Sequence, residues 1–294
     1  MSVHAYLILA HKNWDQLRML VELLDDKRND LFIHIDKKSR FKGENRQELI
    51  DAVCYSKIVF VERIPIFWGD YSIVEAELKL LKAAVKGSYK YYHLISGMDL
   101  PIKTQDEIHA FFSQYEGLEF IHFSDDTWTM KTKSRVKYYW LLQENYSRYR
   151  GNSFQFKLLR ILVKMQKLLG INRCRNYSPR TGSQWFSITR ALAEKLCDNE
   201  DIIKERFSKT FCPDEWMIQT MAAELGFEQR CYCPQPAGSQ EANVRLVDWK
   251  RGDPYTFLLS DYDELLESEC RFARKFDETV DAEIIKKLYN NLIT

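Results

Sequence analysis

No apolar run in this 294-residue sequence approaches the ~20 residues that a membrane-spanning helix needs. The N-terminus, Met1-Ser2-Val3-His4-Ala5-Tyr6, has no basic region followed by a long apolar stretch, so it does not read as a secretion signal. These absences predict a cytoplasmic protein that at most visits the inner face of the membrane. The 7 cysteines stand at 54, 174, 197, 212, 231, 233 and 270, and no pair has CxxC spacing, which argues against zinc. Their odd number fits free thiols in a reducing compartment. Neither GxGxxG nor GxxxxGK[ST] occurs where a phosphate-binding turn would need it, and no nucleophile elbow is present. Excess charge is also missing: 43 basic against 42 acidic residues leave +1, which argues against a dedicated nucleic-acid binder.

Aromatic residues are plentiful, at 14%, including 16 Tyr and 7 Trp. Most will fill a core, but such rings also suit sugars and nucleobases. Short apolar runs alternate with amphipathic segments in the first half, the pattern of β-α units on a mostly parallel sheet. Strands are predicted over Ala5 to Ala10, Leu31 to Ile35 with Asp36 at its end, Lys57 to Val61, Tyr91 to Ile95 and Gly117 to Phe123. Helices are predicted after Ala10 through about Leu24 and over Asp70 to Val85. From Thr127 to Arg180 basic and aromatic residues dominate, and Phe154 to Leu169 has the pattern of a basic amphipathic helix. Its apolar side is expected to pack into the core; contact with an anionic membrane surface is the alternative. Gln184 to Ile188 reads as a strand, Ala191 to Cys197 as a helix, and Pro213 to Leu225 as a helix with proline at its start. With no repeat, low-complexity tract or linker, one α/β domain is the economical reading.

Polar residues gather at the ends of these strands, where open α/β sheets bind ligands. His11 follows the first strand and Asp36 the second, Trp68-Gly69-Asp70 precedes a helix, Ser96-Gly97-Met98-Asp99 follows the fourth strand, and Pro213-Asp214-Glu215 opens a later helix. An aspartate after a strand is more often a turn or a cap, so the shared placement carries the weight.

The segments Ile33-His34-Ile35-Asp36-Lys37-Lys38-Ser39, Ser96-Gly97-Met98-Asp99-Leu100-Pro101-Ile102-Lys103, Gly182-Ser183-Gln184-Trp185-Phe186, Pro213-Asp214-Glu215 and Phe272-Ala273-Arg274-Lys275-Phe276-Asp277 occur in that order. Together they resemble the core-2/I-branching β-1,6-N-acetylglucosaminyltransferase family, which also includes peptide O-xylosyltransferases. The chain looks like a compact bacterial member without the anchor and stem of the Golgi enzymes. The resemblance implies a GT-A-like fold: one domain over 1–294, its nucleotide-binding part about 1–125 and its acceptor and catalytic part about 126–294.

It also implies an inverting glycosyl transfer from a UDP-sugar to a glycan or glycolipid hydroxyl, without a metal or other cofactor, and a role in surface polysaccharide synthesis. N-acetylglucosamine is the implied sugar and xylose the alternative. Glu215 then matches the general base, although a carboxylate in a helix first turn is favoured electrostatically in any case. Lys275 matches a lysine that meets the leaving diphosphate, with Arg251 as its nearest candidate partner and Arg245 the runner-up. Asp36 matches the nucleoside-side carboxylate, with His11 and Trp68 expected in the same pocket. Asp99, Trp185 and Asp214 match positions around the sugar and acceptor. Arg135 and Lys137 face phosphates or an anionic acceptor, or else form a solvated helix face. Asp261-Tyr262-Asp263 has the spelling of a metal-binding DxD but lies far downstream of the early strands, and reads as a surface turn or helix cap. A metal-dependent glycosyltransferase that uses that pair, and a glycan-binding protein without catalysis, are the rival readings.

Overall fold

A computed structural model describes residues 3–141, 154–233 and 240–293. Part of the basic, aromatic stretch, residues 142–153, lies outside the described residues. The sheet is built from runs of apolar and β-branched residues: β1 (His4–Ala10), β2 (Asn29–Ile35), β3 (Lys57–Phe60) and β4 (Tyr91–Ser96). These four pair in parallel, in the order β3-β2-β1-β4. The sheet continues through β7 (Gly182–Thr189) to β6 (Phe120–Phe123), and β7 runs antiparallel to both neighbours. The architecture is thus α/β with a mostly parallel sheet, as expected, but the fifth strand of the sequence reading does not adjoin the fourth. Gly182 makes the β6–β7 approach possible, because a Cβ there would stand 1.9 Å from the His122 carbonyl oxygen.

Helices cover both faces. On one lie α1 (Trp14–Leu23), α2 (Gly43–Asp51), α4 (Gln105–Gln114) and the C-terminal α12 (Ala282–Leu292); their apolar sides join Tyr6, Ile8, Leu31, Ile33 and Tyr91 in one core. On the other lie α3 (Ser72–Ala84), α8 (Arg190–Asp198), α9 (Glu200–Phe207) and α10 (Asp214–Glu224), packed on Leu7, Leu94, Phe186 and Ile188. Alternation along each strand supplies both cores, since successive side chains point to opposite faces. In α4 the Thr104 hydroxyl and Glu107 carboxylate form a capping box.

A second, three-stranded sheet was not legible in the sequence: β5 (Asp99–Pro101), β9 (Phe272–Arg274) and β8 (Arg245–Val247). Strands of three residues are too short for period-two alternation to register. The sheet matters because β9 delivers Arg274 and Lys275 to the carboxyl ends of β1 and β4. Shorter helices α5 (Asp126–Thr132), α6 (Ser134–Lys137) and α11 (Tyr262–Glu267) complete the order with α7 (Phe154–Leu168).

Helix α7 departs from expectation. Leu159 is buried, but Leu158, Ile161, Met165 and Leu168 are 41%, 52%, 51% and 87% exposed. Its apolar side is therefore not fully absorbed by the core. Among the described residues no helix is long and apolar enough to cross a membrane, and none of the seven cysteines is in a disulfide.

Candidate active site

The polar residues singled out in the sequence collect along the carboxyl edge of the parallel strands, in two clusters. The first lies at the ends of β1 and β2. The Asp36 Oδ1 accepts from the Lys38 N–H at 2.9 Å and the Ile66 N–H at 3.3 Å, so the carboxylate folds its own loop against the chain at Ile64–Phe67. Across from it, Lys12 pairs with Asp277 at 2.7 Å, and Asn13 and Thr279 add hydrogen bonds to the same carboxylate. Burial acts against ionising Asp277, but these bonds outweigh it and hold the carboxyl well below the usual range. Asn13 takes a left-handed φ of 61° to start α1 here, a conformation asparagine tolerates better than most residues.

His11 and Lys275 look onto this cluster. Desolvation lowers the His11 pKa, as do Lys12, Arg274 and Lys275, while Asp36 opposes them. Lys275 is likewise shifted down, by desolvation and then by Lys12, with Asp277 opposing. The concentration of positive charge from Lys12, Arg274 and Lys275 suits a polyanion.

Arg274 adds its charge beside His11 and Lys275. It donates to Ser96 Oγ and, at 2.6 Å, to Asp99 Oδ1, and its guanidinium lies 4.6 Å from the Trp185 ring centroid. Asp99 is only 2% exposed and also receives the Ser96 N–H and hydroxyl, so its oxygens are engaged by protein. Trp185, expected to offer a face to a sugar, has Arg274 over its ring and is 9% exposed. Both residues thus fix Arg274 in place. Arg274 was absent from the sequence-based site; its position beside Lys275 in the Phe272–Asp277 segment was the available signal.

The second cluster surrounds Glu215. Pro213 caps α10 and places Asp214 and Glu215 in its first turn, where the helix dipole favours negative charge. Arg135, on α6, donates to Glu215 Oε2 at 2.7 Å, and the Glu215 side chain remains 38% exposed. Desolvation raises the Glu215 pKa and Arg135 opposes it. Asp214 is pushed up to about 7, by desolvation first and then by Glu215, and its Oδ1 is buried without a hydrogen-bond partner. Behind it Glu77, on α3, is 1% exposed, accepts from Gln184 at 2.7 Å, and is held well above the usual carboxylate range by burial and by Asp214. Sequence reasoning missed Glu77 because a glutamate in a helix carries no local mark of burial.

Trp68 follows the Ile66–Phe67 segment that folds against Asp36, and it also reaches the second cluster. Its ring meets Phe211 edge-on, at 5.6 Å and 81°, just ahead of Glu215. The Gly69 carbonyl accepts from the Cys212 N–H at 3.0 Å. Gly69 has φ +77°, and a Cβ there would sit 2.7 Å from Phe211, so glycine is required twice over. Cys212 itself holds φ 51°, a strained value for a non-glycine residue at the threshold of α10.

The two arginines considered for the diphosphate are both engaged by protein groups. Arg251 is bonded to three carboxylates, Asp248, Asp261 and Glu264, the last two at 2.8 Å. Arg245 is 3% exposed and donates to the carbonyls of Leu94, Phe186 and Asn243. The cations gathered with Lys275 are Lys12 and Arg274 instead. Asp261, expected as a surface turn or helix cap, is buried: it accepts from the Leu258 N–H at 2.8 Å and stands at the start of α11 without a side-chain cap bond. Lys137 lies in α6 with its ammonium 5.7 Å from the Tyr138 ring centroid. Among the described residues no group of three or more His, Cys, Asp or Glu is placed to hold a metal ion.

The chain is similar over nearly its whole length to sugar-transferring enzymes. It is 24% identical to the human beta-1,3-galactosyl-O-glycosyl-glycoprotein beta-1,6-N-acetylglucosaminyltransferase, across 98% of this chain and 69% of that protein. With human xylosyltransferase 1 the identity is 23% across 97% of this chain, which spans only 30% of that longer protein. Among solved structures, mouse xyloside xylosyltransferase 1 in its apo form aligns with TM-score 0.38 and 11% identity, over 93% of this chain and 97% of that one. The family model described as Core-2/I-Branching enzyme matches residues 4–266, and the chain belongs to that family.

Proposed function

We propose that the chain transfers a sugar from UDP to a hydroxyl of a glycan or glycolipid, with inversion and without a metal. The carrying observation is the Glu215 carboxylate, exposed enough to reach a ligand and made more basic by desolvation, on the same sheet edge as the Lys12, Arg274 and Lys275 cations. In this reading the acceptor hydroxyl gives its proton to Glu215 as its oxygen bonds to the anomeric carbon. The bond from that carbon to the phosphate oxygen breaks on the opposite side, and UDP leaves with the electron pair. Its new charge meets Lys275, with Lys12 and Arg274 close by, which lowers the barrier as fixed cations do in a partly dehydrated site. Arg135 keeps the Glu215 carboxylate oriented and available. Asp36, His11 and Trp68 line the nucleoside side, while Asp214 and Lys137 lie on the acceptor side.

N-acetylglucosamine is the first donor to try, and xylose the second; the names of the relatives above support both. A cytoplasmic enzyme of bacterial surface polysaccharide synthesis remains our reading of its setting. The metal-dependent alternative would call on Asp261 and Asp263, and the Asp261 contact with Arg251 disfavours it. The test is a screen of UDP-sugars by hydrolysis and by melting temperature, with and without a chelator. Ligands of the native state must stabilise it. Stabilisation by UDP and turnover that survives the chelator are expected. No stabilisation by any UDP compound at saturation would favour a glycan-binding protein, and turnover abolished by the chelator would favour the metal-dependent class.

A further inference from the structure

Helix α7 carries three stripes of different character. The inward stripe is Leu159, Leu162 and Val163 with Gln166, whose amide bonds both the N–H and the carbonyl of Tyr139, at 2.7 and 2.9 Å. Beside it Leu158, Ile161, Met165 and Leu168 stand exposed, with Leu169, 73% exposed, directly after the helix. At about 100° per residue these five fall within an arc of roughly 100°. The remaining stripe is Lys157, Arg160, Lys164 and Lys167, all exposed, and no Asp or Glu occurs from 154 to 169. Four like charges on one short helix contrast with a whole chain at +1.

We propose that this face of α7 docks on an anionic lipid bilayer. A broad apolar stripe bordered by cations is what an interfacial helix presents: the apolar side chains enter the acyl boundary and the ammonium and guanidinium groups stay with the headgroups. A second copy of this chain fits poorly, because a symmetric contact would oppose four cations to four cations. Nucleic acid would meet the charge but leave the apolar stripe in water.

Docking here would also matter for the site. The backbone of Ser134–Leu141 joins the two, since Tyr139 is tied to α7 by Gln166 while Arg135 pairs with Glu215. The proposed base would then work close to the membrane plane, where a glycolipid acceptor presents its hydroxyls. The docking rests on α7 alone; this consequence rests on the transferase reading.

The test is flotation of the full chain with vesicles of phosphatidylcholine alone and of phosphatidylcholine mixed with phosphatidylglycerol, at low and high salt. Binding to the mixed vesicles, weakening as salt rises, is expected, with none to phosphatidylcholine alone. Each basic residue near an anionic surface contributes about fivefold in affinity, so Lys164→Glu with Lys167→Glu should weaken binding by at least about 25-fold. Ile161→Ser with Met165→Ser should weaken it at every salt concentration. Both double variants should keep the wild-type melting temperature and UDP affinity, measured by calorimetry without vesicles. That arm separates failure of docking from failure of the transferase reading. The proposal is overturned if mixed vesicles are not bound at low salt, or if the charge-reversed variant binds them as well as wild type. It is also overturned if the apolar face proves to be a dimer contact, seen as a wild-type dimer that Ile161→Ser with Met165→Ser disperses.

Discussion

In the proposed mechanism Glu215 is the base, and desolvation and Arg135 act on it in opposite directions. Glu215→Gln should preserve UDP affinity in calorimetry yet reduce transfer by about 10²-fold or more, the usual contribution of a positioned base. Transfer near the wild-type rate would sink that assignment. Because desolvation raises the Glu215 pKa while Arg135 lowers it, the rate must fall as pH drops through the raised value. Removing the opposing cation should move that acid limb further up, so Arg135→Ala should shift the pH–rate profile to higher pH as well as weaken turnover. On the phosphate side, Lys275→Ala should weaken UDP binding more than Arg251→Ala does, since Arg251 already has three carboxylate partners. Equal losses from the two variants would restore Arg251 to the clamp.

At the scale of elements, the turn before α10 and the start of α3 are built together. The Gly69 carbonyl holds the Cys212 N–H, and Phe211 packs where a Gly69 Cβ would stand. Gly69→Ala should therefore cost about 1–3 kcal/mol in denaturant unfolding and lower turnover with it, by moving the loop that delivers Glu215. An unchanged midpoint would mean the loop relaxes freely. The first turn of α10 also makes stability depend on pH. The folded-state pKa of Asp214 is raised to about 7, so its contribution to stability is full below the ordinary carboxylate range and is lost as pH rises towards 7. Asp214→Asn cannot ionise, so its melting temperature should gain on wild type as pH is raised from about 5 to about 8. A difference that stays constant over that window would show that Asp214 is not desolvated.

Across the whole molecule, stability is uneven. β1, β2 and β4 are flanked on both sides within the sheet and covered on both faces, while α7 keeps much of its side-chain surface in solvent. In native-state hydrogen exchange the central strands should open only with global unfolding, and α7 well before them. The parallel strands and the helix that begins at Pro213 were readable because long apolar runs and helical periodicity are local signals, and the order of five segments carried the family. His11, Asp36 and Asp99 stood out by their place at strand ends, whereas Lys275 came only from the resemblance. The α/β class and the family could thus be read from the chain before folding. Which cations stand together, that Arg274 ties Asp99 to Trp185, that the Trp68 ring meets Phe211, and that Glu77 lies buried near Asp214 emerge only from the folded chain. Those facts depend on contacts between residues far apart in the chain, brought together by three-residue strands and by the insertion of β7 between β4 and β6. No local pattern encodes such contacts, because charge pairing and burial are properties of the packed neighbours rather than of the residue.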